Sequence, residues 1–153
     1  MKNQITTRPI QQADYAAWKP LWDGYNAFYG RVGETALTQE VNDATWQRFF
    51  DPHEPLYALV AVRDGIVVGL THYLHHRSTA RLELSCYLSD LFTNPSLRGT
   101  GIGRALIEGV YEQARAAGIK RVYWQTHATN AAGRALYDKL AVHEGFIVYS
   151  KMV

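Results

Sequence analysis

Arg98-Gly99-Thr100-Gly101-Ile102-Gly103-Arg104 is a glycine-rich loop between an apolar strand, Cys86 to Thr93, and an amphipathic helix with Leu106, Ile107, Val110 and Ala114 at helical spacing. Strand, glycine loop and helix in that order aim backbone N–H groups at an anion. The first N–H groups of a helix lack intrahelical partners, and the helix dipole favours negative charge there. The stretch therefore reads as a phosphate or pyrophosphate cradle. A P-loop would need Gly-Lys-Ser/Thr at the helix start, but Gly103 is followed by Arg104 and Ala105. A dinucleotide fingerprint would need its third glycine where Arg104 stands. It would also need an acid near Lys120 and Arg121, where there is none. Of His72, His75 and His76, only the first and last share a strand face, and neither cysteine nor a suitably spaced acid accompanies them, so no metal is expected. Cys86 reads as a buried strand residue without a partner base.

Arg98-x-x-Gly101-x-Gly103 fits the pattern Arg/Gln-x-x-Gly-x-Gly/Ala, with "LSDLFTNP" before it and Asn130 and Tyr137 after it in "ATNAAGRALYDKL". In motif and element order, Cys86 to Leu140 resembles the Gcn5-related N-acetyltransferases (GNAT). The resemblance implies acetyl-CoA as co-substrate, with its pyrophosphate on Arg98 to Arg104. Arg98 and Arg104 either add charge to the phosphates or are solvated surface arginines. The resemblance further implies that the pantetheine arm pairs with the exposed backbone of Leu91, Phe92 and Thr93, where the strand splays from its neighbour, and that an N–H there faces the thioester carbonyl. Tyr137 would protonate the departing thiolate, against the plainer reading of a packed helix tyrosine. Asn130 would contact the coenzyme, cap its helix, or do both. Asp90 is the candidate base, with Glu83 second; a salt-bridged structural acid is the alternative for Asp90. Diamine acetyltransferases carry two adjacent acids where this chain has Ser89 and Asp90. Family members build part of the acceptor site from the first helices, which makes Trp22, Tyr25 and Tyr29 candidates to hold a cationic amine; otherwise they are core.

These residues need a mixed α/β frame. Ile5 to Arg8 is expected as a first strand, and Gln11 to Tyr29 as a helix kinked or divided at Pro20. Thr38 to Phe50 is expected as a second helix, with Val41, Thr45, Trp46 and Phe49 inward. Tyr57 to Arg63 and Ile66 to His76 read as a hairpin about Asp64-Gly65. Arg121 to His127 alternates as a strand, Asn130 to Leu140 reads as a helix, and Phe146 to Met152 as the strand that closes the sheet. One mixed α/β domain over residues 1–153 accounts for these elements, and the resemblance implies the GNAT fold for it, a mixed, mostly antiparallel sheet with helices on both faces. GNAT chains run from the tyrosine helix straight into Leu-Gly-Phe, whereas Ala141-Val142-His143-Glu144 intervene here. Those extra residues suggest a homodimer contact at the last strand.

The chain has 153 residues, 47% of them hydrophobic and 20% charged, enough to bury a core without disulfides. One cysteine leaves a cytoplasmic setting natural. The formal net charge of +2 is well mixed, which argues against a nucleic-acid partner. No apolar run reaches membrane length, and the N-terminus has no signal-peptide core. The expected activity is direct transfer of acetyl from acetyl-CoA to the primary amine of a small molecule such as a polyamine or an amino acid. The competing readings are a coenzyme-binding sensor without chemistry, and an acetyltransferase for protein lysines or N-termini.

Overall fold

The computed structural model describes residues 4–153. Its elements are β1 (Ile5–Pro9), α1 (Tyr15–Phe28), α2 (Gln39–Arg48), β2 (Leu56–Arg63), β3 (Ile66–His76), β4 (Ser85–Thr93), α3 (Ile102–Ala116), β5 (Val122–Tyr123) and α4 (Ala131–Tyr137). The strands form one sheet in chain order. β1 to β4 pair antiparallel, and β5 joins β4 in parallel after the α3 crossover. Asp64 and Gly65 both take positive φ, 52° and 77°, which suits a two-residue hairpin between β2 and β3.

Alternation along the strands divides the core between the two faces of the sheet. Leu59, Ala61, Cys86 and Leu88 pack with Ile102, Leu106, Ile107 and Val110 of α3. Ala58, Val60, Leu70 and Phe92 pack with Trp18, Leu21, Trp22 and Tyr25 of α1. The side of α1 meets β4 closely: a Cβ on Gly24 would lie 2.8 Å from the Phe92 ring.

Four local expectations are corrected. α1 is not divided at Pro20 but continues through it as one helix, because Trp18, Leu21, Trp22 and Tyr25, on both sides of the proline, seat on one sheet face. Val41 is 44% exposed; with Thr38 as cap, the phase of α2 turns Asn42 inward in its place, beside Trp46 and Phe49, which pack inward as expected. β5 is two residues long rather than seven. Phe146 to Met152 forms no strand, and Phe146, Ile147, Val148 and Tyr149 are 66–88% exposed. A closing strand needs a partner, and β5 ends after Tyr123 without offering a continued edge.

Candidate active site

The brevity of β5 creates the site. Its pairing with β4 covers only Cys86↔Val122 and Tyr87↔Tyr123. Beyond Tyr87, no strand among the described residues pairs with that side of β4. The two chains diverge around a cleft whose walls include Tyr25, Tyr29, Ser89, Leu91, Trp124 and Tyr137.

A bulge sets which groups face this cleft. Tyr73 pairs with Leu88 and His72 with Asp90, so Ser89 has no partner on β3. The extra residue reverses the alternation. Cys86 N–H points away from β3, donating to Arg121 O at 2.9 Å, whereas Asn94 N–H donates back to Val68 O of β3 at 2.9 Å. Counting back in twos from Asn94, Phe92 also turns its N–H to β3, and Leu91 and Thr93 turn theirs to the open edge. The side chains follow the same shift. Leu91 packs beside Leu88 on the α3 face, and Phe92 lies under α1. Of the three residues singled out from the sequence, Leu91 and Thr93 turn their backbone to the unpaired edge, whereas Phe92 turns its own to β3, because the bulge at Ser89 shifts the alternation; the side chains of Leu91 and Phe92 serve the core.

The edge runs into the glycine loop. Gly99 and Gly101 have φ of +76° and +91°, and Gly101 caps α3 in the left-handed conformation. The first helical bond runs from Ala105 N–H to Gly101 O at 3.0 Å, so the N–H groups of residues 102–104 precede the helical ladder. Thr100 closes the loop, its hydroxyl donating to Leu97 O at 2.6 Å, and Ile102 anchors the helix start in the core. The cradle fits a pyrophosphate: left-handed glycines, free helix-start amides and no acidic side chain between 94 and 104. Its arginines are less committed. Arg104 pairs with Glu108 at 3.0 Å with both side chains half-exposed, and Arg98 lies over the Phe92 ring at 5.5 Å.

Tyr137, on α4, borders the cleft with its ring edge-on to Trp124 at 5.5 Å. Burial first, and then nearby Tyr29, pushes its pKa above the ordinary phenol value, so the proton stays on. Asn130 spends its amide locally. Its Oδ1 accepts from Gly133 N–H at 3.2 Å as the α4 cap, and its Nδ2 donates to Thr126 Oγ1 at 2.9 Å.

Asp90 has a partner that the sequence did not single out. His72 Nε2 accepts from Trp18 Nε1 at 3.0 Å, which places the ring hydrogen on Nδ1, and Nδ1 donates to Asp90 Oδ2 at 2.9 Å. Buried on the α1 side, this chain holds the carboxylate beside the Ser89 bulge. Tyr25 reaches the same point. Its hydroxyl donates to Ser89 O at 3.5 Å, and its pKa is raised, first by burial and then by the charge of Asp90. Glu83 is outside the cleft, paired with Arg81 at 3.6 Å.

Of the three aromatic candidates, Tyr25 and Tyr29 line the cleft and Trp22 does not. Trp22 stacks behind Tyr25 at 5.3 Å and donates Nε1–H to the buried Asn42 at 2.9 Å. Among the described residues, no group of three His, Cys, Asp or Glu side chains is placed to hold a metal ion. The histidine proximity visible in the sequence hid the real use of His72. Its signal, a polar residue on the same sheet face as Asp90, emerges only once the β3–β4 register is known.

The chain matches the Acetyltransferase (GNAT) family over residues 18–141. It is 33% identical to the D-amino-acid N-acetyltransferase HPA3 of Saccharomyces cerevisiae, across 99% of this chain and 92% of that one. In fold it resembles the aminoglycoside acetyltransferase HMB0005 from an uncultured soil metagenomic sample, with a TM-score of 0.81 at 22% identity over 98% and 99% of the two chains. It also resembles aminoglycoside N-acetyltransferase AAC(6')-Iy in complex with CoA, with a TM-score of 0.79 at 16% identity over 100% and 98%.

Proposed function

Because the chain belongs to the GNAT acetyltransferase family and is an acetyl-CoA-dependent acetyltransferase, we propose that it acetylates the primary amine of a small molecule, an amino acid foremost, within a ternary complex. The observation that carries this reading is the open edge of β4, with the glycine cradle at one end and Tyr137 across the cleft. The resemblance of full length to a D-amino-acid N-acetyltransferase supports the acceptor class. So does a cleft walled by aromatic residues of α1.

Acetyl-CoA supplies an activated acyl group as a thioester. The loop from Arg98 to Arg104 receives its pyrophosphate, and the edge of residues 91–93 aligns the chain that follows by strand-like pairing. The outward N–H of Leu91 or Thr93 stabilises the carbonyl oxygen as it gains charge. Asp90, held by His72, accepts the proton that the acceptor ammonium must lose, through water or through the Tyr25 hydroxyl. A carbon–nitrogen bond then forms and the carbon–sulfur bond breaks. Tyr137 gives its proton to the departing sulfur, whose thiol pKa near ~8.5 makes a positioned acid useful at neutral pH.

The test is thiol release from acetyl-CoA across D- and L-amino acids, polyamines, aminoglycosides and lysine peptides. Turnover of amino acids above the other classes is expected. Turnover confined to lysine peptides would overturn the small-molecule reading.

A further inference from the structure

α1 ends in a way that sets a cation against two tyrosines of the cleft wall. Gly30, at φ +76°, donates its N–H to Ala27 O at 3.0 Å, and Arg31 N–H donates to Asn26 O at 2.9 Å. These two bonds are a Schellman ending, in which the left-handed glycine folds the chain back over the last turn. Arg31 is thereby returned to the helix face that carries Tyr25 and Tyr29, with its guanidinium carbon 5.8 Å and 5.5 Å from their ring centroids. Both rings line the cleft.

The arginine is also oriented. Asn26, only 4% exposed, donates Nδ2–H to Trp22 O at 2.9 Å, which fixes its Oδ1 to accept from Arg31 Nε at 2.7 Å. An amide oxygen positions the guanidinium and leaves its charge uncompensated. No carboxylate among the described residues forms an ion pair with it. With Nε occupied, the terminal nitrogens remain as a planar pair of donors, the fork that matches a carboxylate. In an α-amino acid the amine and the carboxylate share one carbon, so a group that holds the carboxylate must stand on the wall beside the reacting amine.

We propose that Arg31, held by Asn26 against Tyr25 and Tyr29, is the carboxylate anchor of the acceptor site and selects amino acids over amines that lack the acid. This rests on the amino-acid reading above. Lysine in its place would keep charge without the fork, and glutamine would keep neither.

The experiment titrates phenylalanine of either hand, phenylalaninamide and phenethylamine into CoA-saturated protein by calorimetry, with thiol release from acetyl-CoA recorded in parallel. Wild-type protein is expected to bind at least one hand of the acid ~10–100-fold more tightly than the amide, the usual scale of a charge-assisted pair. Arg31→Gln should collapse that ratio to within about threefold, and Arg31→Lys should leave an intermediate value. Equal affinities for acid and amide in the wild type would overturn the proposal, as would an unchanged ratio in Arg31→Gln. Acid preference lost in Arg31→Gln but unaccompanied by thiol release would sink acetylation of amino acids and leave the carboxylate site standing. Thiol release from the amino acid and the amines alike, without any acid preference, would sink the carboxylate site and leave acetylation of amino acids standing.

Discussion

Replacing Tyr137 with phenylalanine removes one oxygen and leaves the ring against Trp124. The packing of α4 is kept, so the change isolates the proton. A positioned general acid contributes about 10²–10⁴ in rate, or about 2.7–5.5 kcal/mol of barrier. The loop proposed to cradle the pyrophosphate is a separate segment, residues 98–104. Tyr137→Phe should therefore lower kcat at least ~100-fold and leave the KM for acetyl-CoA within about threefold. The pH profile carries a second, independent signature. Burial raises the Tyr137 pKa, so the acid form persists beyond the usual phenol value near ~10. On the alkaline side, wild-type kcat should then hold level to that point and decline only above it, as the proton is lost. Stopped-flow or steady-state thiol release at saturating amine, repeated from pH 6 to 10.5, measures both. A variant with wild-type kcat would refute the role of proton donor, as would equal losses in kcat and acetyl-CoA affinity.

Gly101→Ala forces a left-handed φ of +91° on a residue with a Cβ, at a strain of roughly 1–2 kcal/mol. Titration should show acetyl-CoA affinity down about tenfold, with kcat at saturation retained. Trp18→Phe leaves the His72 Nε2 buried without a donor and also removes volume, so urea denaturation should report a loss of about 2–4 kcal/mol. A double-mutant cycle with His72→Phe should show coupling above ~0.5 kcal/mol; strict additivity would break the proposed chain to Asp90. Cys86 is fully buried and its thiol is pushed up to about 12 by desolvation, so disulfide reagents at pH 8 should leave the folded protein unlabelled. The same reagents should find one thiol after unfolding in guanidinium, and prompt labelling of the native chain would contradict that burial.

What could be read before folding was local. The cradle is a run of seven residues whose glycines and following helix periodicity lie next to one another. The Asp64-Gly65 hairpin and the cap at Asn130 are equally short-range. What escaped was register. A bulge at Ser89 has no residue signature of its own, yet it decides which amides of residues 91–93 face out and which acid meets His72. The Phe146-Ile147-Val148-Tyr149 run has strand-forming residues, but pairing also needs an available edge, and β5 stops at Tyr123. Arg31 belongs to no motif in the sequence. Its value comes from the Schellman turn and from Asn26, neither of which periodicity weighs. Trp22 shares a helical face with Tyr25, and only the burial of Asn42 separates its role from that of its neighbour.

The unpaired side of β4 has a consequence for handling the protein. A stretch in which Leu91 and Thr93 turn amides and carbonyls to an unpaired edge is a template on which a second chain can add a strand, the usual beginning of edge-to-edge aggregation. A co-substrate arm laid along this edge, as proposed above, would act there as a plug, so colloidal stability should track occupancy of the cleft. Concentrated apo protein is the vulnerable form. Storage with CoA should slow the growth of light scattering over days at concentrations where the empty protein clouds, independently of any effect on unfolding temperature.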